Sequence, residues 1–484
     1  MAYQTPISRA GYQNVIGVGI QTSNISAAVN ITGTACAFGN GKGGLLVNND
    51  VVFSDFRNQE EQDKYHGEAA RFGGDGGEIQ QTTYGVNTTL EFDASASTLA
   101  PFLWTIFQKG SIESDDAPYV KGFSLYQDAG CQAWLTIVKK LYGRDSTYGA
   151  VSHRIYGAIA TSLNISGSEG EVMKASASIQ GAGLSTDANN VPNRDASSDT
   201  FVSDGVNPFH FSDANFLIYD SSDHKWMRLD VTSFDLTVST DPAFRYYTNS
   251  SIQKFILKRL TVEGSITFPW GGAHLDTGNT YSRVDYYDGD SSTVPAGNRA
   301  IADFISGRVL HLCVYWNGGG STNLVSFDEA NGTVEIVRTT DSDETNAMAI
   351  FMTIRLTSPT FTGEDEYLCN AGFYGVMGLK YNTGTVDTST DDSVTENGSL
   401  DWQDIAFPGD IVELYPTSSL EGRQLVRKWS VPVASDVINV LTQSGAIHTD
   451  FQSKSGISYT LYQSPVAFFV ANNYDFGITN TYLG

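Results

Sequence analysis

The sequence predicts a mainly β protein: an antiparallel β-sandwich or barrel with one flanking helix and long inserted loops. Three observations lead to this prediction. Several segments alternate apolar and polar residues over more than the usual strand length, only one segment has strong helical spacing, and 48 glycines accompany only 17% charged residues. At 484 residues the chain exceeds the usual size of one core, so it has room for more than one domain.

The strongest helical pattern covers residues 97–109, STLAPFLWTIFQK. Its large apolar residues recur at the spacing of one helix face and are Leu99, Phe102, Leu103, Ile106 and Phe107. Ser97 is predicted to cap the helix, Pro101 lies in the first turn, where proline is tolerated, and Gly110 is predicted to end it. The apolar stripe indicates that this helix packs on a sheet.

A hairpin is predicted over residues 163–181, LNISGSEGEVMKASASIQG. Its second strand alternates with a period of two, so one face is predicted to be buried and the other exposed. The predicted buried face has Met173, Ala175, Ala177 and Ile179. The predicted outer face has Lys174, Ser176, Ser178 and Gln180. Such small, mostly uncharged side chains are unusual for a surface that faces only solvent.

Three further segments alternate in the same way, at residues 232–240, 259–270 and 347–359. In the second, the apolar set is Leu260, Val262, Ile266 and Phe268. The polar set that faces the other way includes Thr261, Glu263, Ser265 and Thr267. Residues 383–399 have no apolar periodicity and are predicted to be a linker. The chain then divides into residues 1–383, with loop insertions, and residues 384–484, a C-terminal extension or small accessory domain.

Charge and cysteine content narrow the function classes. With 29 Lys and Arg against 54 Asp and Glu, the net charge of −25 argues against adhesion to nucleic acid or to an anionic membrane. The first residues lack a secretory pattern and no apolar run reaches membrane-spanning length, so we expect a soluble protein made in a cytoplasm. The cysteines at 36, 131, 313 and 369 share no metal-binding spacing, and we expect buried free thiols.

No catalytic or cofactor motif is found in the sequence. There is no nucleophile-elbow pattern, and the seven histidines form no zinc-binding pair. Asp285, Asp288 and Asp290 could hold Ca²⁺, but their spacing departs from the EF-hand and a plain Asp-Gly turn is favoured. We therefore expect no enzyme, no cofactor and no metal. The absence of such motifs favours a structural or binding role. Two alternatives to a purely structural role are a glycan-binding adhesin or virion decoration module, and a glycoside hydrolase that uses acidic residues such as Glu364 and Glu366.

The order of segments over residues 10–381 resembles the tail tube proteins of tailed bacteriophages. The most specific pieces are SLNIS…GEVMKASASIQG and LTVEGSITF. The other matching segments, in chain order, are GVGIQT, GEAARFGG, TTYGVNTTLEFDASASTLAPFLWTIFQKG, VTSFDLTVSTD, FISGRVLHLCVYWNGG and FMTIRLTSPTFTGEDEYLCNAGFYGVMGLKY. The C-terminal hundred residues and the large loops depart from the family pattern.

The resemblance implies a structural virion protein. Copies would form stacked, usually sixfold rings whose strands join a β-barrel around a channel for the genome, which passes without specific binding. The implied partners are further copies, the tape measure protein, the tail terminator and distal tail or baseplate proteins, with assembly in the host cytoplasm and no membrane. The candidates for a subunit contact or the channel wall are then Ser176, Ser178, Gln180, Thr261, Glu263, Ser265 and Thr267. Lys174 fits a channel wall only if an acidic residue such as Glu263 lies across from it.

Overall fold

Antiparallel strands dominate a computed structural model of the chain, which confirms the mainly β prediction. The structure describes residues 15–21, 25, 28–39, 41–61, 79–108, 111–112, 119–124, 133–141, 151–185, 201–203, 206–220, 225–240, 242–245, 254–256, 259–269, 300–301, 304–318, 323–329, 332–337, 346–362, 368–376, 380–389, 393–396, 406–415, 422–429, 437–441 and 457–472. Helix α1 spans Ala96–Phe107, and short 3-10 helices span Gly33–Ala35 and Phe211–Asp213.

The strands of the N-terminal half are β1 (Val15–Gln21), β2 (Gly44–Leu46), β3 (Ser54–Glu61), β4 (Ile79–Asp93), β5 (Ser111–Ile112), β6 (Tyr119–Phe123), β7 (Trp134–Leu141), β8 (Val151–Ser168), β9 (Lys174–Gly181), β10 (Gly183–Leu184), β11 (Asn215–Asp220), β12 (Lys225–Arg228) and β13 (Ser233–Ser239). The remaining strands are β14 (Ala243–Arg245), β15 (Lys254–Ile256), β16 (Thr261–Pro269), β17 (Leu310–Trp316), β18 (Val325–Asp328), β19 (Thr333–Ile336), β20 (Ala347–Thr362), β21 (Leu368–Gly375), β22 (Lys380–Ser389), β23 (Ser393–Glu396), β24 (Ile411–Tyr415), β25 (Gly422–Trp429), β26 (Val437–Leu441), β27 (Ile457–Tyr462) and β28 (Val466–Asn472).

One sheet presents a polar face and a buried face. Its strands pair antiparallel in the order β3, β4, β9, β8, β13, β16, β21 and β20. In β9, Ala175, Ala177 and Ile179 are buried, while the residues between them are half-buried or exposed. Strand β13 alternates in the same way, and so do the ends of β16. The predicted period of two therefore holds, and it turns one side of this sheet towards the core.

Strand β8 joins this sheet to a second one. Its first half pairs with β7 and β10, and its second half pairs with β9 and β13. The register with β9 shifts between Ala160 and Ser162, at the kind of bulge that bends a strand. Strands β1 and β2 extend the second sheet beyond β7.

Helix α1 confirms the predicted helix but not its ends. The residue that caps it is Ser95, not Ser97: the Ser95 hydroxyl accepts from the Thr98 N–H at 3.1 Å, and Thr98 Oγ1 accepts from the Ser95 N–H at 2.9 Å. The helix ends at Phe107, and the residue that terminates it is the C-cap Gln108, not Gly110. Gln108 adopts a left-handed backbone, with φ 57°, and its side-chain amide bonds both backbone groups of Ala133. These tertiary bonds support a conformation that glycine usually supplies.

The main core lies between the polar-faced sheet, helix α1 and the first half of strand β20, which pairs with β17 and β28, whereas its second half pairs with β21. Ala177, Leu163 and Leu236 enter it from the sheet, and Met348 and Ile350 enter it from β20. This first half of β20 is buried on both sides, because Ala347, Ala349 and Phe351 face a second core shared with strands β11, β17, β24, β27 and β28. The order of layers is thus polar face, main core, β20 with its neighbours, second core, and then β24 and β27.

Six C-terminal strands close into a barrel in the order β22, β23, β26, β25, β24 and β27. Strands β22 and β23 occupy 380–389 and 393–396, so the predicted linker over 383–399 is wrong where the structure describes it. Its Thr-rich sequence lacks apolar periodicity yet forms barrel strands through ladder pairing. Strand β28 then returns to pair with β20 and β6. The division at 383/384 stays a prediction, and that boundary falls inside β22.

A buried polar junction connects the barrel to the sheet. Phe407, just before β24, stacks on the His311 ring at 3.6 Å between centroids. The Asp410 carboxylate accepts from the Phe407 and Ser464 N–H groups, each at 2.9 Å. Burial raises the pKa of Asp410 to about 7, although these two hydrogen bonds act to lower it. Burial lowers the pKa of His311 to about 3.

Replacing the capping serine is expected to destabilise the protein. Ser95→Ala removes the acceptor for the Thr98 N–H and is expected to lower the free energy of unfolding by about 1 kcal/mol. Ser97→Ala is the matched control, since Ser97 is also buried but follows the cap. Urea unfolding measures both variants. Equal losses in the two would contradict the assignment of Ser95 as the cap.

His311 is expected to make stability depend on pH. Its lowered pKa gives stability that is present above about pH 6.5 and is lost as pH falls towards 3. The Asp410 contribution has the opposite sign: it is fully present below about pH 4 and is lost as pH rises through about 7. Without His311, acid should therefore favour the native state more than it does in the wild type.

His311→Gln tests this dependence. Relative to the wild type, the free energy of unfolding of this variant should rise by up to about 1.4 kcal/mol per pH unit as pH falls below about 6.5. Urea unfolding at a series of pH values measures the slope, with His210→Gln as an exposed-histidine control. Parallel pH profiles for His311→Gln and the wild type would contradict the prediction.

Candidate functional site

The polar face carries all seven of the predicted contact residues. Ser176, Ser178 and Gln180 lie half-buried on β9, outside the core. On β16, Thr261 and Thr267 are half-buried, and Glu263 and Ser265 are exposed. The two groups share one face but are separated by β8 and β13. Their predicted role in a subunit contact or a channel wall stays a prediction.

Strand register arranges this face in rows. One row runs Ser176, Asn164, Thr237 and Glu263 across four strands, and Glu91 of β4 lies beside Ser176. Strands lie about 4.8 Å apart, so Ser176 and Glu263 are separated by about 14 Å. The candidates on β9 therefore do not contact those on β16.

Lys174 is paired, but its partner is not Glu263. Its Nζ lies 2.7 Å from Asp93 Oδ1, because the antiparallel register places Asp93 directly opposite on β4. Asn48 Nδ2 also donates to this oxygen, at 2.9 Å. Partial burial acts to raise the pKa of Asp93, but the hydrogen bonds from Lys174 and Asn48 and the Lys174 charge outweigh it and leave that pKa lowered. The acidic residue across from Lys174, which a channel wall requires, is therefore Asp93 and not Glu263.

Cross-strand hydrogen bonds occupy much of the central face. Asn164 Nδ2 donates to Asp235 Oδ2 and to Thr237 Oγ1, each at 2.9 Å. Two hydroxyl pairs continue the pattern between β13 and β16: Ser233 with Thr267 at 2.9 Å, and Ser239 with Thr261 at 2.6 Å. Sequence reasoning missed Asn164, Asp235 and Thr237. Their alternation with buried residues gives the face on which they lie, but only the register shows that they meet.

The described part of this face carries more acidic than basic groups. Beyond the Lys174–Asp93 pair, the carboxylates of Glu91, Asp235 and Glu263 share it with the Arg355 guanidinium of β20. Arg355 lies beside Tyr374, at the β20 side of the sheet. The face is therefore polar, small in its side chains and weakly negative.

Two asparagines hydrogen-bond to the edge of β4 at Thr89 and Glu91, beyond the part of β4 that pairs with β3. Asn49 Oδ1 accepts from the Glu91 N–H at 3.1 Å, while Asn49 Nδ2 donates to the Thr89 carbonyl at 2.9 Å. The side-chain amide thus replaces the peptide of a neighbouring strand. The Asn48 N–H donates to the Glu91 carbonyl at 2.7 Å. This edge is consequently occupied without another strand.

An open cleft of about 500 Å³ lies beside this closed edge. Its lining includes polar residues of the loop before β3 and of strands β3, β4 and β9, namely Asn49, Ser54, Asn87, Thr89, Ser178 and Gln180. Asp50 stands at the cleft and is 3.4 Å from Lys139 Nζ. The cleft offers amides and hydroxyls and only one carboxylate among its described lining residues.

Other predicted features have the following outcomes. Cys36, Cys313 and Cys369 are buried free thiols, as predicted, and burial raises the pKa of Cys369 to about 11. Asp285, Asp288 and Asp290 lie outside the described residues, as do Cys131, Glu364 and Glu366. Within the described ranges, no cluster of three or more metal-ligating side chains occurs. No helix in the described part of the chain is long and apolar enough to cross a membrane.

Comparison with known proteins identifies the family. A family model described as phage tail tube protein matches residues 19–294, which is more than half of the chain. No curated protein matches. Among solved structures, the chain is similar to the SPP1 Dit (gp 19.1) protein, described as a paradigm of the hub adsorption apparatus in phages that infect Gram-positive bacteria.

The similarity to SPP1 Dit is 11% in identity, covers 53% of this chain and 98% of that one, and has a TM-score of 0.13. A likeness this low carries no argument. The family match alone, over residues 19–294, supports the conclusion that the chain belongs to the phage tail tube protein family and is a structural protein of the virion tail.

Proposed function

We propose that copies of the chain form rings of six and that these rings stack into a tube. The polar face lines the channel of this tube, through which the genome passes. The observation that carries this proposal is a broad sheet face of small polar side chains whose central groups hydrogen-bond to one another. A face that satisfies its own polar groups offers few free donors to a passing phosphate backbone.

Electrostatics supports the same role. DNA is held on proteins mainly by Lys and Arg, and the described face keeps Lys174 neutralised by Asp93. The chain carries a net charge of −25. At physiological salt the repulsion extends about 8 Å from the wall, so it prevents adhesion without blocking a wide channel.

Two edges of the polar-faced sheet support closure by neighbouring copies. Among the described residues, β3 pairs only with β4, and the second half of β20 pairs only with β21. Natural proteins cover or protect such edges. The β20 edge is interrupted by a register shift between Thr357 and Thr360, with Pro359 inside it, which restricts the ways another strand can pair there. In a ring, adjacent copies would cover these edges.

We place the C-terminal barrel on the outside of the tube, as an accessory module. The polar face and the barrel lie on opposite sides of the main core, because β20 separates that core from the second one. The further partners in this proposal are the tape measure protein, the tail terminator and distal tail or baseplate proteins. The role needs no catalysis and no cofactor.

Electron microscopy and sedimentation of the purified full chain test this function. We expect rings or tubes to form as concentration rises or when tail initiator proteins are added. Persistent monomers under both conditions would overturn the proposal. Binding of an isolated monomer or trimer on a glycan array would instead favour a decoration or adhesin role.

A lysine added to the wall is expected to make the channel hold DNA. Asn370→Lys places a cation on the polar face where the residues directly opposite are Thr267 on β16 and Thr360 on β20, so assembled tubes should retain short duplex DNA at low salt and release it as salt rises. Thr385→Lys is the control, since Thr385 is exposed on barrel strand β22. Co-sedimentation of labelled DNA measures retention. Equal retention by both variants would contradict the placement of the polar face in the channel.

A further inference from the structure

A small cavity lies inside the junction between the sheet and the C-terminal barrel. It gives the centre of a water molecule about 10 Å³ of room, and Trp226 of β12 and Thr353 of β20 line it on the sheet side. Asp410, just before barrel strand β24, and Ser464, between β27 and β28, line the other side. All of its described lining residues are buried except His311, which is half-buried. The cavity is therefore screened from bulk solvent.

One polar group of the cavity wall has no protein partner. The Trp226 side chain is only 3% exposed, and its indole N–H has no hydrogen-bond acceptor among the described residues. Native proteins pair nearly all buried donors, either with protein groups or with ordered water. Trp316 shows the first case, because its buried indole N–H donates to the His210 carbonyl at 3.1 Å. The Trp226 donor therefore points to the second case.

Acceptors with spare capacity line the same cavity. The Asp410 carboxylate accepts the Phe407 and Ser464 N–H groups, one on each oxygen, and each carboxylate oxygen can accept a further hydrogen bond. Thr353 Oγ1 lies 3.1 Å from His311 Nδ1, and a hydroxyl oxygen has two lone pairs. The cavity thus combines one unpaired donor with several acceptors. Water can join them, because it both accepts and donates.

The size and polarity of the cavity suit one water molecule. An apolar cavity stays dry, whereas a polar one holds water when it offers about one probe sphere of room and two to four polar partners. Burial also deprives the Asp410 carboxyl of solvent and raises its pKa to about 7. A water molecule at this position restores part of the lost solvation.

We propose that the cavity binds one ordered water molecule that links the sheet to the barrel. The water accepts a hydrogen bond from the Trp226 indole and donates to the Asp410 carboxylate, with Thr353 Oγ1 as its second acceptor. About three hydrogen bonds are usual for a buried water. The stack of Phe407 on His311 is the direct contact of this junction, and the water adds a polar bridge beside it. The site lies within one chain, so it does not depend on tube formation.

Nuclear magnetic resonance of the unassembled full chain tests the site. The chain is labelled with ¹⁵N-tryptophan, and the signals lost in Trp226→Phe and in Trp316→Phe assign two of its seven indoles. We expect a nuclear Overhauser cross-peak between water and the Trp226 indole proton. Trp316 is the matched control: it is buried but has a protein acceptor, so its indole proton should show no such cross-peak.

A density map that resolves ordered water is the second measurement. The wild type should show one peak within about 2.7–3.2 Å of both Trp226 Nε1 and an Asp410 oxygen. The peak should be lost in Trp226→Phe and kept in Trp316→Phe. Because the wild-type map needs no variant, it decides the question even if a substituted chain fails to fold.

A water cross-peak at Trp226 alone, together with the density peak, would support the site. An assigned Trp226 signal without the cross-peak, an equal cross-peak at Trp316, or a wild-type map without a peak between Trp226 and Asp410 would each overturn it. None of these results depends on whether rings or tubes form, so the proposed function stands or falls separately.

Discussion

Strand register is the constraint on which the rest of this structure depends. Across β9, β8, β13 and β16, the pairing keeps Ser176, Asn164, Thr237 and Glu263 on one side and places Ala177, Leu163 and Leu236 on the other. A slip of one residue would reverse the two sides. Burial of Ala177, Leu163 and Leu236 in the main core fixes the register, because any slip would bring their polar neighbours into that core.

The layers follow from that constraint. One side of the sheet is covered by helix α1 and the first half of β20, and among the described residues no hydrophobic core lies on the polar side. Strand β20 then carries a second core on its other side, and the barrel packs there through Val412, Leu414 and Tyr459. Two hydrophobic cores thus separate the polar face, which is suited to a channel wall, from the C-terminal barrel.

Sequence reasoning predicts the parts of this arrangement that depend on local pattern. Alternation gives the facing of Ser176 and Glu263, and apolar spacing gives the existence of α1. What it misses depends on residues far apart in the chain. The partner of Lys174 is Asp93 because of the register of β4 with β9, and the helix is terminated by Gln108 because Ala133 bonds its side chain. The barrel strands β22 and β23 lack apolar alternation and are held by neighbours such as β27 and β26.

The Asn49 side chain has a consequence for the solution behaviour of the protein. It forms the two hydrogen bonds of a strand's peptide group with Thr89 and Glu91, and it does so from a loop residue before β3. A β-sheet normally offers its edge to any passing chain, which is how amyloid fibrils recruit monomers. Here the Asn49 side-chain amide occupies the backbone groups of β4 that another strand would need at Thr89 and Glu91. A tube subunit has to remain soluble at high concentration until its assembly begins, and Asn49 keeps other strands from pairing with β4 at Thr89 and Glu91.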